Sequence, residues 1–203
     1  MNVAMRSVAL TVCILSFGTG AARAEEPAAM PADKDAAMKM MMERGSPNEN
    51  HKVFEPLAGN WTYTGQFWMM PDSAPETMTG TSTNALIYGG RFLKEDVTGA
   101  SANMPAFEGT GYLGYDNIRN EYQSTWMDNM MTGIMITSGH YDAAAKSITQ
   151  EGTFSCPMTG ETNRWVRSIW TVADNDHNVY ESYSRTPDGK EFKSMELRYT
   201  RAP

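Results

Sequence analysis

From residue 60 onward the chain alternates between apolar and polar residues in short runs broken by turn residues. In the first run, WTYTGQFWM, Trp61, Tyr63, Phe67 and Met69 share one face at period two, while Thr62, Thr64 and Gln66 share the other. The large residues are expected to point inward. The same pattern, rich in Thr, Tyr, Trp, Phe, Val and Ile, predicts ten strands at roughly residues 60–70, 77–88, 91–98, 107–114, 120–127, 132–141, 146–154, 162–173, 178–185 and 191–200. Segments such as PDSAP, ADNDH and TPDGK between them carry turn chemistry. None is long enough for the helix of a parallel crossover, so consecutive strands should pair as hairpins. Ten hairpin-linked strands must dispose of two sheet edges, and closure into an antiparallel up-and-down β-barrel does so. A sandwich is the alternative architecture.

Ahead of the strands the periodicity is helical. Asp33 stands as an N-cap before helix formers that run through Arg44, with Gly45 at the C′ position. A second short helix is predicted over residues 47–57, with Ser46 as its cap and Pro47 in its first turn. Residues 1–24 have Arg6, an apolar run from Val8 to Phe17 and an Ala22-Arg23-Ala24 end, the pattern of a secretory signal cleaved after Ala24. The run is about half the length of a membrane span. Val12 before Cys13 is too bulky for a lipoprotein box, so no membrane anchor is expected in the mature chain. The expected organisation is signal peptide 1–24, flexible leader and short helix 25–45, and one barrel domain 46–203, exported to the periplasm or secreted.

Cleavage would leave a net charge of −9, which argues against nucleic acid or an anionic membrane as partner. Cys156 would then be alone, with no disulfide partner and no neighbouring His to activate it.

Candidate chemistry is sparse. Tyr122, Trp126 and Asp128 share parity in the stretch GYDNIRNEYQSTWMD, and read either as core or as a cavity lining with polar tips. Arg167, Glu181 and Glu196 also alternate with apolar neighbours. Turned inward they would have to pair, since an unpaired interior charge costs several kcal/mol, and would then bind a polar ligand end or perform acid–base work. Turned outward they would form a solvated cross-strand ladder worth about 0.2 to 1 kcal/mol per pair.

His51, His140 and His177 lack metal-site spacing. Methionine clusters at MKMMME and MDNMMTGIM suit packing better than Cu(I), having no His or Cys beside them. GTGYLG lies among strands without a following helix, so it is no dinucleotide loop. No metal and no cofactor are expected.

The segments HKVFEPLAGNW, GTSTN with GGRFL, FEGTGYLGYDN, STWMDNMMTGIM, PMTGE, and DGKEF with MELRYTR, in this order over residues 38–201, resemble the bacterial family of domain of unknown function 1579. That family brings no activity with it. The resemblance implies a lipocalin-like barrel, in which a Gly-x-Trp on the first strand lies near the floor and a basic residue of the last strand packs over the tryptophan. Gly59 and Trp61 match the first element, and Arg198 or Arg201 would supply the second. Nitrobindin-like barrels hold haem through a histidine, but the surroundings of His140 show no matching context, so haem serves as a discriminating test.

Three functions follow. The first is binding of a small apolar or amphipathic molecule by an interior lined by Tyr63, Phe67, Met69, Tyr122, Trp126, Asp128 and the inward-turned charges. The second is an enzyme on the same scaffold, using Glu181, Glu196 or Asp128. The third is a structural module with a filled barrel. A cavity of roughly 300 Å³ or more would favour the first two.

Overall fold

The computed structural model describes residues 31–203 apart from residue 103 and the Met104 side chain. The expected signal segment 1–24 and the leader through residue 30 lie outside the described residues. Helix α1 (Lys34–Arg44) starts where the sequence places it, with the Asp33 carboxylate accepting from the Asp35 and Ala36 amides. Gly45 closes it at φ −88°, so the left-handed C′ geometry expected there is not adopted.

The second helix is a 3-10 segment, Glu49–Leu57, that begins two residues later than predicted. Asn48, and not Ser46, caps it. The Asn48 side chain accepts from the Asn50 amide at 2.9 Å, and His51 Nδ1 accepts from the Asn48 amide at 3.1 Å. This reciprocal pair satisfies the first free donors of the segment, and Pro47 is thereby left outside it.

Ten strands follow: β1 (Gly59–Phe67), β2 (Glu76–Ile87), β3 (Phe92–Ser101), β4 (Met104–Asp116), β5 (Glu121–Asp128), β6 (Met135–Asp142), β7 (Ser147–Phe154), β8 (Arg164–Val172), β9 (His177–Arg185) and β10 (Glu191–Arg201). Each pairs antiparallel with the next, and β10 returns to β1, closing the barrel. The β3–β4 hairpin runs longer than the sequence pattern suggests. Gly99 and Pro105 read as loop residues, yet the register shift between Gly99 and Ser101 sits opposite Pro105, and a bulge tolerates a residue without an amide hydrogen. β1 stops at Phe67, before the Met70–Ser73 turn, so Met69 lies beyond the strand and half exposed.

The 3-10 segment plugs one end. Phe54 and Leu57 have no exposed surface and pack with Leu93, Leu113, Tyr122 and Ile148 from the strand ends around them. Three hydrogen bonds tie this plug to the wall: Trp61 Nε1 and Asn84 Nδ2 both donate to the Leu57 carbonyl at 3.0 Å, and the Tyr122 hydroxyl donates to the Asn50 carbonyl at 2.9 Å.

Arg201 completes the floor. Its guanidinium lies 4.2 Å from the centroid of the Trp61 ring and donates to the carbonyls of Ala58 at 2.8 Å, Pro56 at 3.0 Å and Asn175 at 2.7 Å. The Pro56 and Ala58 carbonyls lie at the end of the plug and that of Asn175 in the β8–β9 turn, so one guanidinium ties the plug to both β10 and this turn. Gly59 is required beside it: its φ is +127°, and a Cβ there would overlap Arg201 Nη1. The glycine of Gly-x-Trp is thus the space into which the closing arginine fits. Arg198 faces outward, mostly exposed and paired with Glu196 at 2.6 Å.

Candidate functional site in the barrel interior

Strand alternation sorts every candidate to one side of the wall. In β1 the buried positions are Trp61, Tyr63 and Gly65. Following the register around the barrel, Tyr63 pairs with Gly80 and Tyr199, Tyr199 with Asn178, and Leu197 with Tyr180. The inner face therefore carries Tyr63, Ser82, Glu95, Val97, Trp126, Gln150, Ser168, Tyr180 and Tyr199. The end away from the plug is ringed by Phe67, Phe107, Trp126, Asp128 and Met195.

Of the sequence candidates, Tyr63, Phe67, Tyr122, Trp126 and Asp128 lie on this inner face. They do not form one group. Tyr122 belongs to the floor, wedged beside Phe54 and Tyr115 at ring separations of 5.9 and 4.9 Å, and burial pushes its hydroxyl up to about 12. Tyr63 crosses the middle, its hydroxyl donating to the Thr98 carbonyl at 3.2 Å over Gly80 and Gly99, whose missing side chains make room for the ring.

Trp126 lies at the open end on the space left by Gly109 and Gly111 and stacks on Phe107. Asp128 accepts from Trp126 Nε1 at 2.8 Å and from the Met130 amide at 2.9 Å, so its carboxylate fixes the indole and the following turn.

Arg167, Glu181 and Glu196 lie on the outer face, because Val166, Ser168, Tyr180, Ser182 and Leu197 take the inner positions. Arg167 pairs with Glu191 and covers the Tyr183 ring at 4.2 Å. Lys193 bridges Glu181 and Glu196. This is the outward ladder; the inward arrangement that would have made them ligand contacts is corrected by the register. Met69 is likewise outside the lumen. Among the histidines, His140 faces out, between inward Gly139 and Tyr141, and His177 is exposed beside Asp174. His51 belongs to the plug, where burial lowers its pKa. Among the described residues, no group of three or more His, Cys, Asp or Glu side chains is placed to hold a metal ion.

Glu95 has the most distinctive environment of the interior. Its neighbours Lys94 and Asp96 turn outward and pair with each other at 2.7 Å, whereas Glu95 turns in. Burial raises its pKa from 4.5 to about 7, against the opposing effect of hydrogen bonds from Ser82 and Tyr199. Among the described residues no cation pairs with it. The surrounding hydroxyls are phenols held protonated: burial and the Glu95 charge raise Tyr180 to about 12 and Tyr199 well above its ordinary value.

Glu95 and Tyr180 lie deep within the barrel, yet both side chains keep accessible surface. From this cluster polar groups continue around the lumen through Ser168, the register partner of Gln150, to Ser124 and Thr137. Gln150 accepts from Ser124 at 3.0 Å, while its Nε2 is buried without a partner among the described residues.

Clefts are found on the outside of the barrel. One of about 340 Å³ runs between the plug and the strand ends near Lys52, Tyr141 and Lys146. The other, about 390 Å³, is an open groove over the threonine-rich outer face of β10, β1 and β2.

Residues 46–201 match the family model described as a protein of unknown function, DUF1579. The chain belongs to the DUF1579 family. The match covers the plug and all ten strands, so the closed ten-stranded, lipocalin-like barrel is the fold of this DUF1579 chain. Solved structures repeat the architecture. Rv2717c from M. tuberculosis is 18% identical with a TM-score of 0.60 over 78% of this chain and 100% of its own. The S-type phycobiliprotein lyase CPES from Guillardia theta is 9% identical with a TM-score of 0.53 over 79% of this chain and 96% of its own. At these identities the likeness is one of fold. No curated protein matches this DUF1579 chain.

Proposed function

We propose that this DUF1579 protein is exported and binds a small apolar or amphipathic molecule in the lumen of its barrel. The observation that carries the reading is that Glu95 and Tyr180, deep inside the wall, retain accessible surface. The plugged floor directs entry to the opposite end, where Phe107, Trp126 and Met195, partly buried against the interior cluster, and Phe67 at the end of β1 offer an apolar rim. A largely apolar cavity with a few convergent polar groups is the usual form of a small-molecule site. Barrels that enclose ligands in this way are a common use of the architecture. No helix among the described residues is long and apolar enough to cross a membrane.

Native mass spectrometry of the protein purified from its own source tests both parts of the proposal. The expected result is a chain starting at Glu25 with a bound small molecule that leaves on activation. A chain that retains residues 1–24 would refute export. A bare chain that also fails to bind fluorescent fatty-acid probes and haem would refute the carrier reading.

Acid–base chemistry in the same lumen is the second reading. It draws on Glu95, whose pKa of about 7 suits proton transfer near neutrality, and not on the outward Glu181 and Glu196.

A further inference from the structure

Glu95 is a carboxylate on the inner face with no cation paired to it among the described residues, and the rings whose charge states it couples to are those of three tyrosines. Tyr63 and Tyr199 lie 5.4 Å apart at a tilt of 52°, and Tyr180 stands beside Tyr199 across β9 and β10. The carboxylate accepts from Ser82 at 3.5 Å and from Tyr199, two of about four lone-pair sites, which leaves acceptor capacity free. Building on the carrier reading, we propose that the ligand is an amphipathic amine, with its ammonium group on the Glu95 carboxylate among these rings and its apolar body toward Phe107, Trp126 and Met195.

The chemistry of the cluster favours this head group over others. A carboxylate repels an anionic head and gives a neutral hydroxyl a single hydrogen bond. An ammonium supplies up to three charge-assisted donors, and the electron-rich faces of tyrosine attract it. Binding would also supply the charge that the interior withholds from Glu95, which is why the carboxyl holds its proton up to about pH 7 when the lumen is empty. The other titratable groups facing it are the phenols of Tyr63, Tyr180 and Tyr199, all raised, while the Asp96 carboxylate is turned outward to Lys94. Of these groups Glu95 alone titrates in the neutral range, and amine affinity should follow it.

The test is calorimetric titration of the barrel protein with octylamine, octanol and octanoate, three probes that share one apolar body. At pH 8 octylamine is expected to bind at least ~10-fold more tightly than the other two, which corresponds to one charge-assisted contact of about 1.4 kcal/mol. Glu95→Gln should abolish that preference, so that octylamine binds no more tightly than octanol. With the unsubstituted protein, octylamine affinity should fall from pH 8 to pH 5.5 until it approaches that of octanol, a loss of about 7-fold for a ~10-fold preference, because below pH 7 the ammonium must displace the Glu95 proton.

Octanol or octanoate binding as tightly as octylamine would overturn the amine assignment and leave the carrier reading standing. An amine preference that survives in Glu95→Gln, or that is independent of pH, would overturn the role of Glu95. Failure of all three probes to bind would overturn the carrier reading and this inference together.

Discussion

Glu95→Gln is expected to make the protein more stable at pH 8, by on the order of 1 to 3 kcal/mol, and to leave its stability at pH 4 unchanged. Glu95 keeps its proton to about pH 7 in the folded barrel, against 4.5 in an unfolded chain. Between these values the folded state holds more protons than the unfolded one, so stability contributed at low pH is lost as pH rises from about 4.5 to 7, and the curve is level above. Each unit of such a difference is worth about 1.4 kcal/mol. Glutamine occupies the same volume, can still accept from Ser82 and Tyr199, and has no charge to desolvate. Urea melts of both proteins at half-unit steps from pH 4 to 8 give the comparison directly. A difference between them that does not change with pH would show that Glu95 does not meet the interior as described.

Trp61→Ala is expected to cost about 3 to 5 kcal/mol, a large part of the stability of a typical domain. The side chain is 1% exposed and serves three elements at once. It packs in the wall with Tyr63 and Tyr199, donates to Leu57 in the plug, and lies beneath the guanidinium that closes β10. Its loss leaves a cavity, a Leu57 carbonyl held by Asn84 alone, and an arginine without its aromatic surface. Arg201→Lys should cost about 1 to 3 kcal/mol, since one ammonium cannot reproduce the planar fork that serves three carbonyls. Arg198→Lys, on the exposed face, should lie within ±0.5 kcal/mol. Equal effects of the two arginine substitutions in thermal melts would contradict the assignment of closure to Arg201.

The barrel was legible because each strand carries its own period-two signal and every connection is too short for anything but a hairpin. What the pattern could not fix was which parity faces in. In β8, Trp165, Arg167 and Ile169 look like an inward set with one charge, yet the inner positions belong to Val166 and Ser168. A barrel with large aromatics on both faces gives little contrast in residue size, and only the cross-strand register decides.

Glu95 was hidden for the related reason that LKED reads as a solvated run. Its signal was the alternation Leu93, Glu95, Val97, with Lys94 and Asp96 on the other parity. The Gly-x-Trp signal held more than it disclosed: the family resemblance implied an arginine over the indole, but the overlap of a Gly59 Cβ with Arg201 is visible only in three dimensions.

The central claim is that the barrel is hollow between its plug and its open end, and Ser182→Phe tests it most directly. Ser182 lies on the inner face of β9 between Tyr180 and Ser184 and keeps part of its surface accessible. If that surface borders a lumen, the new ring enters empty space: urea melts should shift by less than about 1 kcal/mol while binding of a fluorescent fatty-acid probe falls at least ~10-fold. A filled barrel would instead be overpacked, losing about 1 to 3 kcal/mol of stability with no probe binding to lose, and that result would contradict the account.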